Sequence, residues 1–235
     1  MIAPIITLGL AALATAAPTA PPTNPHYPPT QVSKGFQLVL NVTDHSKDFK
    51  PSIQNSYVAS IHVGAGQNLV GQTFTKDYAR TFYVNGTAEE VHYGNSHLIS
   101  DAGSIPEGFG LLPVPGSKTL SHATLNGGSG DKGIVLTRFP SPYTYLNPQT
   151  FVACKEKLDY YQGQEFIVLK QANTTVDKNG KINYNIPKGC APVTLLPECH
   201  KLEPLPEGAS WNHDNAADSA CYKKPSAINW SSYGP

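Results

Sequence analysis

Arginine is nearly absent from this chain of 235 residues: only Arg80 and Arg138 occur, and the seventeen basic residues are balanced by seventeen acidic ones. Proteins that bind nucleic acid displace counterions from phosphates with clustered cations, so no nucleic-acid partner is expected. Beyond the first residues, no apolar run approaches the ~20 residues that a membrane-spanning helix needs, so no membrane partner is expected either. Also missing are a Gly-x-Ser-x-Gly elbow, a His-Glu-x-x-His pair, a Cys-x-x-Cys pair and a phosphate loop of correct spacing. The nearest decoy, "GGSGDKG" at 127–133, reads as a hairpin loop. Long helical periodicity is lacking as well: the best window, "TFVACKEKLDYY", does not sustain a 3.6-residue repeat.

What is present is turn chemistry, with 21 prolines and 20 glycines, and 40% hydrophobic residues, enough for one domain with a sizeable core. The chain opens on an uninterrupted apolar run, Ile5 to Leu13, followed by Ala14-Thr15-Ala16, which reads as a secretory signal peptide over 1–16. Residues 17–33 are rich in proline and threonine and read as an extended linker. Four Asn-x-Ser/Thr sequons, at Asn41, Asn85, Asn173 and Asn229, fit an exported glycoprotein.

From Gly35, "GFQLVLNVT" alternates strictly, with Phe36, Leu38, Leu40 and Val42 on one side. That is the period-two pattern of a half-buried strand. Further strands are expected at 56–63, 80–85, 89–93, 97–100, 119–125, 133–139, 150–154, 165–171, 181–186 and 193–196. Many short strands with such punctuation predict an all-β domain over 34–200, a β-sandwich or a barrel-like fold, with a β-trefoil as the alternative. Residues 201–235 are polar and proline-bearing and read as an irregular tail.

All four cysteines, Cys154, Cys190, Cys199 and Cys221, lie in the last third of the chain, and in an exported protein an even number predicts disulfides. If 193–196 is a strand, Cys190 and Cys199 stand roughly 30 Å apart at ~3.3 Å per residue, too far to pair. Cys154 with Cys190 and Cys199 with Cys221 is the preferred set, and Cys154 with Cys199 and Cys190 with Cys221 the alternative. A zinc site from Cys190, Cys199 and His200, with His213 or Cys221, matches no closed template, so no metal is expected. Nothing in the chain calls for a cofactor.

Catalytic groups occur singly. His62, His122 and His213-Asp214 offer a Ser/His/Asp set only on paper, and Glu89-Glu90, adjacent in an expected strand, point to opposite faces rather than forming a dyad. No catalytic residue is assigned. Tyr143, Tyr145, Tyr160, Tyr161, Trp211 and Trp230 could stack on sugars, and Tyr143 and Tyr145 are taken as the binding candidates.

The segments "GFQLVLNVTD", "SIHVGAGQN", "FYVNGTAEEVHYG", "FVACKEKLDYYQGQEFIVLKQ" and "GCAPVTLLPEC" resemble uncharacterised secreted proteins of filamentous ascomycetes, over roughly residues 34–232. More distantly, the strand ending at Cys154 is similar to phialide-associated fungal cell-wall proteins. The resemblance implies a secreted or wall-associated role and transfers no catalytic residue. The expectation is a non-enzymatic extracellular or cell-wall protein contacting wall polysaccharide or a host protein. The rivals are a secreted hydrolase with an unrecognised site and an effector that binds a host protein.

Overall fold

The computed structural model describes residues 27–103, 105–138 and 140–233. The expected signal peptide, 1–16, and the linker up to residue 26 lie outside the described residues. In chain order the strands are β1 (Gln31–Ser33), β2 (Gly35–Val42), β3 (Tyr57–Gly64), β4 (Gln67–Thr73), β5 (Thr81–Asn85), β6 (His97–Ala102), β7 (Ile105–Pro113), β8 (Leu120–Gly127), β9 (Val135–Leu136) and β10 (Leu146–Asn147). They continue with β11 (Phe151–Leu158), β12 (Gln164–Ala172), β13 (Thr175–Val176), β14 (Ile182–Asn183), β15 (Cys190–His200), β16 (Ala216–Ala217) and β17 (Ser219–Cys221). The fold is all-β, as the alternation in β2 and its neighbours requires.

Eleven strands form one antiparallel sheet in the order β11-β15-β2-β3-β4-β12-β8-β7-β6-β5-β16, and further pairings of β11 with β12, β2 with β5 and β4 with β8 close it on itself. The wall is therefore barrel-like, and closure removes most free edges. Inside, Phe36, Leu38, Leu40 and Val42 of β2 meet Phe82, Phe109, Phe151, Leu169 and Leu195 from other strands in a single core. The repeat of four strands that a trefoil would show three times has no counterpart in this pairing order among the described residues.

Four segments differ from the sequence expectation. Residues 89–93 are not a strand but lie in the helix α1 (Ala88–Tyr93). Its N-terminus carries a capping box: the Glu90 amide donates to Thr87 Oγ1 at 3.2 Å, and the Thr87 amide donates to Glu90 Oε2 at 2.9 Å. Gly94, at φ 72°, supplies the left-handed cap at its end. The expected strand at 133–139 is reduced to β9, paired only with β10, and the one at 181–186 to β14, paired with β13. Conversely, β15 runs from Cys190 to His200, far beyond 193–196, because it is paired along its length with β11 and then β2.

Both ends of the described segment are woven into the domain. Gln31–Ser33, read from sequence as the last of the linker, form β1 and pair with β17 of the tail. Ala216 and Ala217 of the tail pair with Asn85 and Val84 of β5, and Tyr222 is fully buried. Two disulfides, Cys154–Cys190 and Cys199–Cys221, have Cα separations of 4.4 and 5.1 Å. The first joins residues directly opposite each other on β11 and β15.

Candidate functional site

Residues of β5 and β6 meet the tail in a polar cluster, and Asp101 on β6 is its centre. Its Oδ1 accepts from the Tyr83 phenol at 3.2 Å and from the Trp211 indole at 3.1 Å, while Oδ2 lies 2.8 Å from His213 Nε2. Tyr83 and Asp101 share a face because Tyr83 stands opposite Ile99, two residues before Asp101. The His213 ring also packs against Tyr83, with centroids 4.7 Å apart. Burial, followed by the charge of Asp101, pushes the Tyr83 phenol well above its ordinary range.

Arg80, just before β5, binds the other side of the same strand pair. Its guanidinium donates to Ser100 Oγ at 2.9 Å, to the Asp101 carbonyl at 3.0 Å and to Glu107 Oε2 at 2.8 Å. Glu107 accepts from Asn68 Nδ2 at 2.8 Å, and Asn68 Oδ1 is bonded to His62 Nδ1 at 3.0 Å. Burial raises the Glu107 carboxyl despite the opposing pull of Arg80. Arg80 is thus a structural tie between β5, β6 and β7 as well as part of a surface.

That surface is a cleft of about 470 Å³ between Asp77–Thr81 and Leu202–Pro206, with Arg80 and Asp101 in its lining. Tyr78 stands in this lining with 74% of its surface exposed. Beside it, buried Glu198 accepts from Lys76, and the Tyr57 phenol lies 3.5 Å from both Glu198 oxygens. The Glu198 carboxylate holds the Lys76 ammonium above its ordinary value. The cleft therefore offers an aromatic face, fixed cationic and anionic groups, and donors already held in place.

The histidines named from sequence are dispersed. His62 bonds Asn68; His122 Nε2 lies 3.4 Å from Glu156 Oε1; His213 bonds Asp101, not its neighbour Asp214. Among the described residues none of these rings is hydrogen-bonded to a serine, threonine or cysteine, so no nucleophile–base pair is assembled. Glu89 and Glu90 lie on α1, where Glu90 is spent on the cap. The four cysteines are in disulfides, and among the described residues no three His, Cys, Asp or Glu side chains gather as metal ligands.

The "GGSGDKG" loop is tied to β7: the Asp131 amide donates to the Phe109 carbonyl at 2.9 Å, and Asp131 Oδ2 accepts from the Leu111 amide at 2.7 Å. Tyr143 is half-buried and edge-on to Tyr27 at 5.3 Å; Tyr145 is half-buried, with its amide and carbonyl bonded to Thr137. Tyr160, Tyr161 and Phe166 form an aromatic chain with His62, and Trp230 packs on Tyr222. The sequons Asn173 and Asn229 are exposed, whereas Asn41 and Asn85 are half-buried in β2 and β5. Asp101 was missed in the sequence because its partners are spread over more than a hundred residues. Trp211 and the scarcity of arginine were the visible signs.

Among the described residues no helix is long and apolar enough to cross a membrane. No solved structure matches the chain. Residues 33–199 match the family model described as domain of unknown function DUF7907. The chain is also 53% identical over 213 residues to the "Antigenic protein SchS34" of Stachybotrys chartarum, covering 90% of this chain and 96% of that protein. The strand-and-cysteine segments quoted above thus mark a fungal family without an assigned function: the chain belongs to the DUF7907 family.

Proposed function

We propose that the protein is a secreted, N-glycosylated and non-enzymatic extracellular protein of a filamentous fungus that contacts cell-wall polysaccharide through the Tyr78–Arg80 cleft. The observation that carries this reading is the cleft's composition. An exposed phenol ring stands beside a guanidinium and carboxylates that are fixed by their own partners. Sugars are bound by stacking a ring face on an aromatic and by hydrogen bonds to preset polar groups, and this lining supplies both. The antigenic relative supports exposure outside the cell, since antigens are met there. Placement at the wall rests on the distant similarity to phialide-associated proteins. Against hydrolysis stands the Asp101–His213 pair, whose carboxylate takes three donors and whose ring, among the described residues, has no nucleophile bonded to it.

The test is retention on insoluble chitin and β-glucan. Wild-type protein should sediment with one of these polymers, and Tyr78→Ala should lose at least about 1 kcal/mol of binding, roughly fivefold in affinity, with unchanged folding. Tyr143→Ala and Tyr145→Ala serve as comparisons, because loss there and none at Tyr78 would move the contact to that surface. No sedimentation with any wall polymer, or release of soluble sugar on incubation, would remove the proposal.

A further inference from the structure

A second cavity, of about 300 Å³, shares no lining residue with the cleft and has a different chemistry. Its floor is apolar: Leu146, Phe151, Val152 and Val193 are almost completely buried. One side is formed by Tyr184, exposed over 57% of its surface, and by half-buried Ile186, from the segment between β14 and β15. Around it stand Thr43, Gln149, Thr150 and Thr194, giving hydroxyl and amide groups above an apolar base. Thr43 and Thr150 spend their protons on the carbonyls of Pro192 and Ala172. Thr43 Oγ1 remains an acceptor, Thr150 Oγ1 already accepts from Gln171 Nε2 at 3.2 Å and keeps one lone pair, and the Thr194 hydroxyl and Gln149 carboxamide have no protein partner among the described residues.

Asp44 is the charged residue in the lining, and its charge is already matched. Oδ1 accepts from the Ser46 amide and hydroxyl, and Oδ2 lies 3.2 Å from Lys47 Nζ. These contacts hold its carboxyl below the ordinary value, so it stays paired rather than free for a ligand. A charged head group would enter without a counter-ion and would be desolvated at a cost. We propose that this cavity binds an uncharged amphipathic small molecule, with an apolar body on Phe151, Val152 and Val193 and a hydroxyl or carbonyl head among Thr43, Thr150 and Thr194. At about 300 Å³ the site has the size of the smaller natural ligand pockets, suited to a short acyl chain or single ring system.

The experiment is a titration of the intact secreted protein with decanol, decanoate and decyltrimethylammonium, read by saturation-transfer NMR and calorimetry. Decanol should bind saturably and at least tenfold more tightly than either charged analogue. Thr194→Phe, which places a ring in the cavity from a half-buried position, should weaken decanol at least tenfold, while Tyr78→Ala leaves it unchanged. Far-UV circular dichroism confirms that each variant is folded, and Ile186→Asp gives a second disruption should Thr194→Phe fail to fold. Absence of saturable decanol binding, equal affinity for decanoate, or full binding by a folded Thr194→Phe protein would overturn the proposal. Because Tyr78 lies outside this cavity, either outcome is independent of the polysaccharide reading.

Discussion

At Glu156, one carboxylate answers to two basic groups on neighbouring strands. His122 Nε2 lies 3.4 Å from its Oε1, and Lys170 donates to the same oxygen at 2.7 Å. Lys170 stands directly opposite His122 across β12 and β8, and only 8% of Lys170 is exposed. His122 first and then Lys170 outweigh the cost of burial, holding the Glu156 carboxyl down to about 2. A carboxyl depressed below its ordinary value of 4.5 stabilises the fold above that value, and the contribution disappears as pH falls from about 4.5 toward 2. Its size is on the order of 2 kcal/mol, because the side chain is partly exposed and the ammonium must be desolvated. Glu156→Gln should therefore lower stability at pH 6 by at least that amount, leaving buried Lys170 unpaired, and should flatten the decline between pH 5 and 3. Urea midpoints across this range decide it; an equally steep decline in the variant would refute the assignment. None of this was legible in the sequence, where Glu156 sits in "CKEKLD" as one charge among several and its partners lie on other strands.

Among elements, β2 was legible because its apolar side chains alternate, although the strand is not half-buried as expected: both faces are covered, with Gln37 at 4% and Val39 at 1% exposure. Of the strands that were not, β4 and β7 are the longest, and they owe their conformation to neighbours. In β7, "IPEGFGLLP" holds prolines and glycines that discourage a strand assignment, yet it pairs with β8 over seven residues. Gly108 explains part of this choice: a Cβ there would lie 2.0 Å from the Gly130 amide nitrogen, so only glycine lets the 128–133 loop pack on β7. The same loop is anchored by Asp131 on Phe109 and Leu111. Gly108→Ala must push the loop away or bend the strand, at about 1–3 kcal/mol, the usual cost of overpacking. A lowered urea midpoint with unchanged slope is expected, accompanied by faster amide exchange at Asp131 and Leu111. Wild-type exchange at both amides would show that the loop does not depend on this contact. α1 was misread for a related reason: "EEVHY" has too few residues for a period to declare itself, and Thr87, Glu90 and Gly94, the capping residues, carried the information instead.

For the whole molecule, the question is what holds a polar tail on a closed barrel. Its attachments include the two-residue pairing of β16 with β5, the three donors converging on Asp101, of which Trp211 and His213 belong to the tail, the bonds of Thr144 to Tyr222 and Ala220, and the Cys199–Cys221 bond. A two-residue ladder and a partly exposed polar cluster are each marginal alone. The disulfide closes a span of 22 residues, worth about 3 kcal/mol in the chain-entropy estimate. It also sets Cys221 so that Tyr222 exchanges backbone hydrogen bonds with Pro197 and Cys199 at 2.9 Å and buries its ring. β1 depends on this in turn, since its partner is β17. Replacing Cys199 and Cys221 together by serine should therefore release β1 and the tail while the barrel persists. Residues 27–33 and 201–222 should lose exchange protection and become cleavable by protease, whereas β2, β11 and β12 keep theirs. The cleft should open with them, because Leu202–Pro206 form one of its walls, so polysaccharide retention falls along with the protection. Unchanged protection at Tyr222 in the double variant would mean that burial of this ring, rather than the covalent bond, fastens the tail.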